Sequence, residues 1–296
     1  MTAWCNIITL LSFGVSYIVF IKTLIPKIIV DIFGENQIPE ILSEGKWSGQ
    51  IFWATVYTIT VFIPLSLPRK VGTLGYASLL GFISTIYLVI VLIMLFFVDR
   101  SLVPNIGKNI VEAAYFKTSY NGMVSAIPFV VFAFMYQPNI PIVYRELKVQ
   151  TYASMSKVVL FASLIVVSVY IAAATFGYLG LVNQPELQEK LLDKSNILEV
   201  DYESPAFTIA VIVLIITVSS AAPQVILPAK DDFEDIFFQK DGMNLKWNIL
   251  TTITMCVVCY LLAVVVPSIS DIISILGSTT NPVSGFLLPI VFYLKL

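Results

Sequence analysis

The stretch FVVFAFMYQPNIPIVYREL, residues 129–147, decides how the chain is read. It is apolar enough to cross a membrane, yet Gln137-Pro138-Asn139 and Pro141 stand where a spanning helix has to be continuous. Each proline lacks an amide proton and clashes with a carbonyl one turn earlier, so carbonyls near Phe134 and Gln137 lose their helical partners. Such carbonyls are not tolerated against lipid; buried protein or a water-filled cavity has to receive them. A proline kink packed by its neighbours is one reading. The other is an interrupted helix that opens on a polar cavity, and the amides of Gln137 and Asn139, with Tyr136 and Tyr144 around them, favour it.

The surroundings are those of a membrane protein. Over 296 residues, 58% are hydrophobic and 12% charged, with a mean hydropathy of +0.89, far from the composition of a soluble domain. Between charged residues lie eight uninterrupted runs: Met1–Ile21, Trp47–Pro68, Val71–Val98, Thr118–Tyr144, Val158–Pro185, Ser204–Ala229, Trp247–Ser270 and Ile272–Leu294. Each reaches the roughly 20 residues that a bilayer-spanning helix needs. Barrel strands would be about half as long and alternating, so the runs predict an all-α polytopic membrane protein with about eight spans. The first run has no basic leader and is too long for the apolar stretch of a signal peptide, so it reads as a true span.

Connecting segments are short and polar, and residues 1–296 read as a single transmembrane domain. The chain has no histidine, no nucleophile elbow, no phosphate-binding glycine loop and no metal-ligand spacing, so an enzyme, a bound cofactor and a metal are not expected. Basic residues are scattered rather than striped, which excludes nucleic acid as a partner. Cys256 and Cys259 form a C-x-x-C inside an apolar run, where they share a helix face as small packing residues rather than as redox or zinc ligands. With a cytoplasmic N-terminus, nine of the 17 basic residues fall on the cytoplasmic side and eight opposite, so the positive-inside bias does not orient the chain. The oligomeric state is not legible here.

Five stretches carry a resemblance. FAFMYQPNIPIVYREL (132–147) resembles the sixth span of the amino acid/auxin permease family, in the branch of sodium-coupled neutral amino acid transporters and their vacuolar relatives. FGVSYIVFIKTLIP (13–26) is similar to the third span, IPLSLPRKVGTLGYASLLGFISTIYLVIV (63–91) to the join of the fourth and fifth, and PQVILPAK (223–230) to the end of the eighth. The final ILGSTTNPVSGFLLPIVFYLKL (275–296) is similar to the tenth. The resemblance covers almost the whole chain.

The family resemblance implies a LeuT-like bundle of two inverted five-helix repeats, with an amino acid held between interrupted helices and carried across the bilayer by alternating access. Of the family's eleven spans the chain matches the third to the tenth, so the first interrupted helix, which supplies half of the cradle, has no counterpart, and the matched segment by itself is expected to show no uptake. Carried over residue by residue, the backbone from Phe132, Ala133, Phe134, Met135 and Tyr136 would take the substrate's ammonium. Tyr136, Gln137 and Asn139 would shape the pocket for its side chain. The coupling ion would be sodium or a proton. Sodium-coupled members place a hydroxyl two residues before the proline of the eighth span, where this chain has Ala221; Ser219 and Ser220 would supply an oxygen in its place, or else pack as small residues. The family's Gly-Asp near the end of the third span is Lys22-Thr23 here. Glu146 and Asp271 are the carboxylates nearest to spans, and Asp271 is placed to stabilise a helix N-terminus. The segment 183–203 is expected on the outer or lumenal side, opposite 230–246, in a plasma or vacuolar/lysosomal membrane. The competing expectation is a truncated, non-transporting membrane protein that acts as a nutrient sensor or regulatory partner.

Overall fold

A computed structural model describes all residues except 1, 35–38, 40–46, 69–73, 116–118, 138–139, 195, 201, 203, 239–242 and 296. The described residues are helical, with no strand among them. In chain order the α-helices are α1 (Thr2–Phe33), α2 (Trp47–Tyr57), α3 (Ile63–Ser66), α4 (Leu74–Val98), α5 (Ile106–Glu112), α6 (Tyr120–Ala133), α7 (Ile140–Glu146), α8 (Tyr152–Leu181), α9 (Pro185–Lys194), α10 (Pro205–Phe237), α11 (Leu245–Val265), α12 (Ile269–Ser278), α13 (Thr280–Pro282) and α14 (Leu288–Lys295). π-helical turns join α2 to α3 over Thr58–Phe62 and α13 to α14 over Val283–Leu287.

Among the described residues, six helices are long and apolar enough to cross a membrane: Ala3–Phe33, Ser48–Ser66, Ser78–Val98, Tyr152–Leu181, Pro205–Phe237 and Leu245–Val265. They correspond to six of the eight expected runs. The other two runs are interrupted. Thr118–Tyr144 becomes α6 and α7 with residues 134–137 outside α-helix, and Ile272–Leu294 is broken at Thr279 between α12 and α13.

Two helices outrun the limits that charge had set. The first run was to end at Ile21 and the sixth at Ala229, but α1 continues through Lys22 and Lys27 to Phe33, and α10 through Lys230 to Phe237. The reason is that these three lysines are buried and their ammonium groups are satisfied inside the protein. Lys22 Nζ donates to the carbonyls of Ala263 and Val266 at 2.7 and 2.6 Å, at the C-terminal end of α11. Lys27 Nζ donates to Leu198 and Val200 at 2.8 and 2.6 Å and lies 5.5 Å from the centre of the Phe207 ring. Lys230 Nζ donates to the carbonyl of Ser66, at the end of α3, at 2.8 Å. Carbonyls that close a helix have no intrahelical donor and carry partial negative charge, so a buried cation is well placed on them.

α1 runs antiparallel to α10 through the centre of the bundle. Near one end, Asn6 Nδ2 donates to Asp232 Oδ2 at 2.6 Å and the Trp4 and Phe237 rings meet edge to face at 5.9 Å. Near the other, Lys27 holds residues 198 and 200. The segment after α9 and the end of α10 therefore lie at opposite ends of the bundle. One apolar cluster joins α1, α2, α10, α11 and α12 around Ile18, Phe62, Ile226 and Cys256. A second joins the later half of α1 to α4, α8 and α10 around Leu24, Phe96 and Val211. Cys256 and Cys259 are free and fully buried. Cys259 Sγ would stand 3.1 Å from a Cβ placed on Gly14, so α11 packs closely on α1 through small groups, as the sequence led one to expect. Asp271 sits in the first turn of α12, its amide bonded to the N-cap Ser268 and its carboxylate accepting from the same hydroxyl at 2.9 Å.

Candidate functional site

The break between α6 and α7 is bounded by ordinary helix on both sides. α6 starts on Ser119, whose side chain caps Gly122 N, and ends where Phe134 leaves helical geometry at φ −102°, ψ 17°. Beyond it the chain folds tightly on itself: Met135 N donates to Phe132 O at 3.2 Å and Tyr136 N to Phe134 O at 3.1 Å. Pro138 and Asn139 lie outside the described residues. Pro141 is the second residue of α7, where an amide has no intrahelical acceptor in any case. Continuity is therefore already lost before Pro141 is reached.

The expected site residues divide among three surroundings. Phe132 turns toward α1, its ring 5.3 Å from that of Phe13. Ala133, Phe134, Met135 and Tyr136 line a cavity of 280 Å³ against α8, together with Ile140, Met155, Ala162, Ser163 and Tyr170. That cavity is mainly apolar. Tyr170 closes it, donating its hydroxyl to Ala133 O at 3.1 Å and meeting the Phe134 ring edge to face at 5.5 Å. Gln137 goes elsewhere. Its Cδ is 3.5 Å from the position a Cβ would take on Gly285, and Met135 Sδ is 2.9 Å from the same point, so Gln137 packs on the π-helical turn that follows α13.

Of the five carbonyls expected to take an ammonium, those of Phe132, Ala133 and Phe134 accept hydrogen bonds from Met135, Tyr170 and Tyr136. A carbonyl oxygen has two lone pairs and can take a second donor, but none of these three is an orphan. Unpartnered oxygen is found on side chains. Gln137 Oε1, Thr280 Oγ1 and both polar atoms of Asn281 are buried with no hydrogen-bond partner among the described residues.

Ser219 and Ser220 are half-buried in α10, one turn before Pro223. The missing amide of Pro223 removes the helical donor of the Ser219 carbonyl. Ser220 Oγ is bonded within its own helix, to Thr217 O at 2.8 Å. Glu146 closes α7, and no group of three or more acidic, histidine or cysteine side chains suited to a metal occurs among the described residues.

The sequence did not single out Gly277, Thr280, Asn281 or Gly285, although the signal was there: GSTTNPVSG places hydroxyls, an amide, a proline and two glycines in an otherwise apolar run. At Gly277 a Cβ would stand 1.9 Å from the Pro128 carbonyl oxygen, so the backbones of α12 and α6 touch with no room for a side chain. Close apposition of this kind needs glycine. It brings the second interrupted helix against the first.

The chain matches the family model for transmembrane amino acid transporter proteins over residues 1–296. It is similar to sodium-coupled neutral amino acid symporter 2 of Danio rerio, 26% identical over 316 aligned positions that cover 100% of this chain and 60% of the relative. The chain thus spans about 60% of the length of that curated relative. No solved structure matches significantly. A multi-pass membrane protein, helical over its described residues and interrupted at residues 134–137, matched along its whole length, belongs to the transmembrane amino acid transporter family.

Proposed function

We propose that this chain forms the core of a secondary active transporter that moves neutral amino acids across a membrane by alternating access. Residues 1–296 act as one transmembrane unit of a LeuT-like arrangement, in which the two interrupted runs also cross the bilayer. The observation that carries the reading is the break between α6 and α7: helical geometry is lost at Phe134, and Phe134, Met135 and Tyr136 line a cavity there instead of continuing a kinked helix. Interrupted spans of this kind are where secondary transporters place substrates and ions. The 280 Å³ cavity is close to the lower end of small-molecule sites, and its lining is apolar with few polar groups, as such sites are. Phe134, Met135 and Tyr136 would surround an uncharged side chain there, which fits a neutral amino acid better than a cationic or anionic one. Ser219 and Ser220, with the Ser219 carbonyl, are the place for a coupling cation; sodium and a proton are both compatible with the residues, and the host membrane is a plasma or vacuolar/lysosomal one.

The test is uptake into proteoliposomes that hold the full-length protein carrying this chain. Saturable uptake of a neutral amino acid, accelerated by an inward sodium or proton gradient, is expected. Saturable binding without uptake would move the protein to the sensor class, and the absence of both would overturn the proposal.

A further inference from the structure

The two interrupted helices pack on each other, Gly277 against Pro128 and Gly285 against Met135 and Gln137, and both carry buried polar atoms without partners among the described residues next to their breaks. Asn281 is fully buried, yet neither its oxygen nor its nitrogen has a hydrogen-bond partner among the described residues. The same holds for Thr280 Oγ1 and Gln137 Oε1. Gly285 follows Asn281 by four residues and Thr280 by five, across a π-helical turn, and residues so spaced share one face of a helix. The missing side chain of Gly285 is the space that Gln137 and Met135 occupy. Asn281 and Thr280 are therefore carried one turn from Gln137 on the same face. α1 backs this region: Thr9, itself buried, comes within 3.3 Å of Ser284 Oγ. Buried polar groups in native proteins are satisfied by protein, water or ligand, and leaving four such atoms unpaired is costly.

We infer that Gln137, Thr280 and Asn281 form the receptor for the substrate's charged α-amino acid head. The three orphan oxygens, Gln137 Oε1, Thr280 Oγ1 and Asn281 Oδ1, match the three N–H donors of one ammonium. The orphan Asn281 Nδ2 supplies a donor for the adjoining carboxylate. No carboxylate side chain takes part, which suits a zwitterion that brings its own counter-charge. The inference rests on the proposed amino acid transport and changes where the head group binds: side-chain oxygens at the junction of two breaks hold it, and the backbone at 132–134, already bonded to Met135, Tyr136 and Tyr170, lines the pocket for the side chain. Met135 connects the two halves, since its sulfur reaches Gly285 while the residue lines the apolar cavity.

Three isosteric variants test this: Asn281→Leu, Thr280→Val and Gln137→Leu, in the purified full-length protein. Binding of alanine is measured by equilibrium radioligand titration, beside its 2-hydroxy acid analogue and beside sodium chloride against choline chloride without amino acid. Thermal unfolding is recorded in parallel. The parent is expected to bind alanine and to bind the hydroxy acid at least tenfold more weakly. Each variant is expected to lose at least tenfold in alanine affinity while its unfolding midpoint holds or rises, because an orphan polar group has been replaced by an apolar one of similar shape. A purely structural role for these residues would lower the midpoint and leave affinity alone. Parent-like alanine affinity in Asn281→Leu would overturn this inference and leave the proposed function standing. Stabilisation of the parent by sodium alone, abolished in Asn281→Leu, would reassign the oxygens to a metal ion and also overturn it. A parent that binds neither alanine nor any other neutral amino acid would remove the inference and the proposed function together.

Discussion

Two regions of this membrane domain handle buried polar groups differently. Where α1 runs between α10 and α11, three lysines are taken out of water, and each is placed on backbone carbonyls of another segment. Where α6/α7 faces α12/α13, uncharged polar atoms are buried with no hydrogen-bond partner among the described residues. The first arrangement stabilises a bundle, with single hydroxyls of Tyr57, Ser66 and Tyr202 buried there without a partner among the described residues; in the second, four such atoms occur on three residues, and on the proposed function a ligand completes them. On the proposed function the difference separates the part of the chain that holds shape from the part that takes a substrate, and the three buried lysines belong to the first.

The largest effect is expected where the two interrupted helices touch. Gly277→Ala would put a methyl group 1.9 Å from a backbone oxygen, and backbone cannot yield as a side chain tip can. Overpacking costs about 1–3 kcal/mol and occasionally more, and this site belongs at the upper end or beyond. Loss of monodisperse protein in detergent, or a collapse of the unfolding midpoint, is the expected readout. A well-folded Gly277→Ala protein with normal ligand binding would mean that the breaks are not held together in this way.

A smaller loss is expected in the satisfied region. Lys22→Met removes the donor to Ala263 and Val266 at the end of α11. A buried carbonyl left unpaired costs about 1–3 kcal/mol, offset in part because a charge is no longer buried. The unfolding midpoint should fall, and ligand affinity measured at a temperature where the variant is folded should not change. An increase in stability would show that the lysine is retained for another purpose, and the contrast between the two regions would lose one of its sides.

An effect that depends on pH is expected at the loop after α4. Asp99 accepts from the hydroxyl and amide of Ser101 and from Leu102 N, at 2.5, 3.0 and 3.3 Å. The Ser101 hydroxyl holds its carboxyl below the usual carboxylate range, with the two amides adding to this against a partial loss of hydration. A depressed folded-state value means that the contribution to stability is present above the unfolded value and is lost as pH falls through the folded one. Asp99→Ala should therefore melt below the parent at neutral pH and converge with it in acid. The difference should stay small because the loop is partly solvated, and a gap that persists unchanged to low pH would assign it to something other than the ionised carboxylate.

How much of this was written in the sequence differs between the same two regions. Hydropathy located six long helices and the interruption near Pro138, because apolar runs and proline act locally. It misplaced the ends of α1 and α10, because a charged residue was taken to mark the edge of a span. Lys22, Lys27 and Lys230 break that rule by finding acceptors more than 160 residues away in sequence, which no local pattern displays. The receptor residues at 280 and 281 were passed over for the complementary reason. Their composition was visible, but their nearness to the first break depends on Gly277 lying on Pro128 and Gly285 making room for Gln137, contacts that exist only after folding. Gln137 was singled out because an amide beside a proline in an apolar run is conspicuous; Asn281-Pro282 is the same pair and went unused.

The smallest expected effect concerns Pro141, and it sharpens the account of how the first break is made. The sequence treats Pro138 and Pro141 as equal breakers, yet Pro141 stands second in α7. An amide at that position has no acceptor within the helix, and proline's fixed φ suits a first turn. Pro141→Ala should therefore restore no hydrogen bond across the gap, and both the unfolding midpoint and alanine affinity should stay within experimental error of the parent. Pro138→Ala is the informative companion. An alanine there returns a donor toward the carbonyl of Phe134, which is the residue at which helical geometry ends, and a proline-to-alanine change favours helix by about 3 kcal/mol in an interior position. If the break is maintained by Pro138, that variant should bind alanine more weakly while melting no lower than the parent. Equal behaviour of the two variants, both silent or both damaging, would show that neither proline sets the break by itself. Packing of the turn at Phe134 under Tyr170 would then hold the helix open.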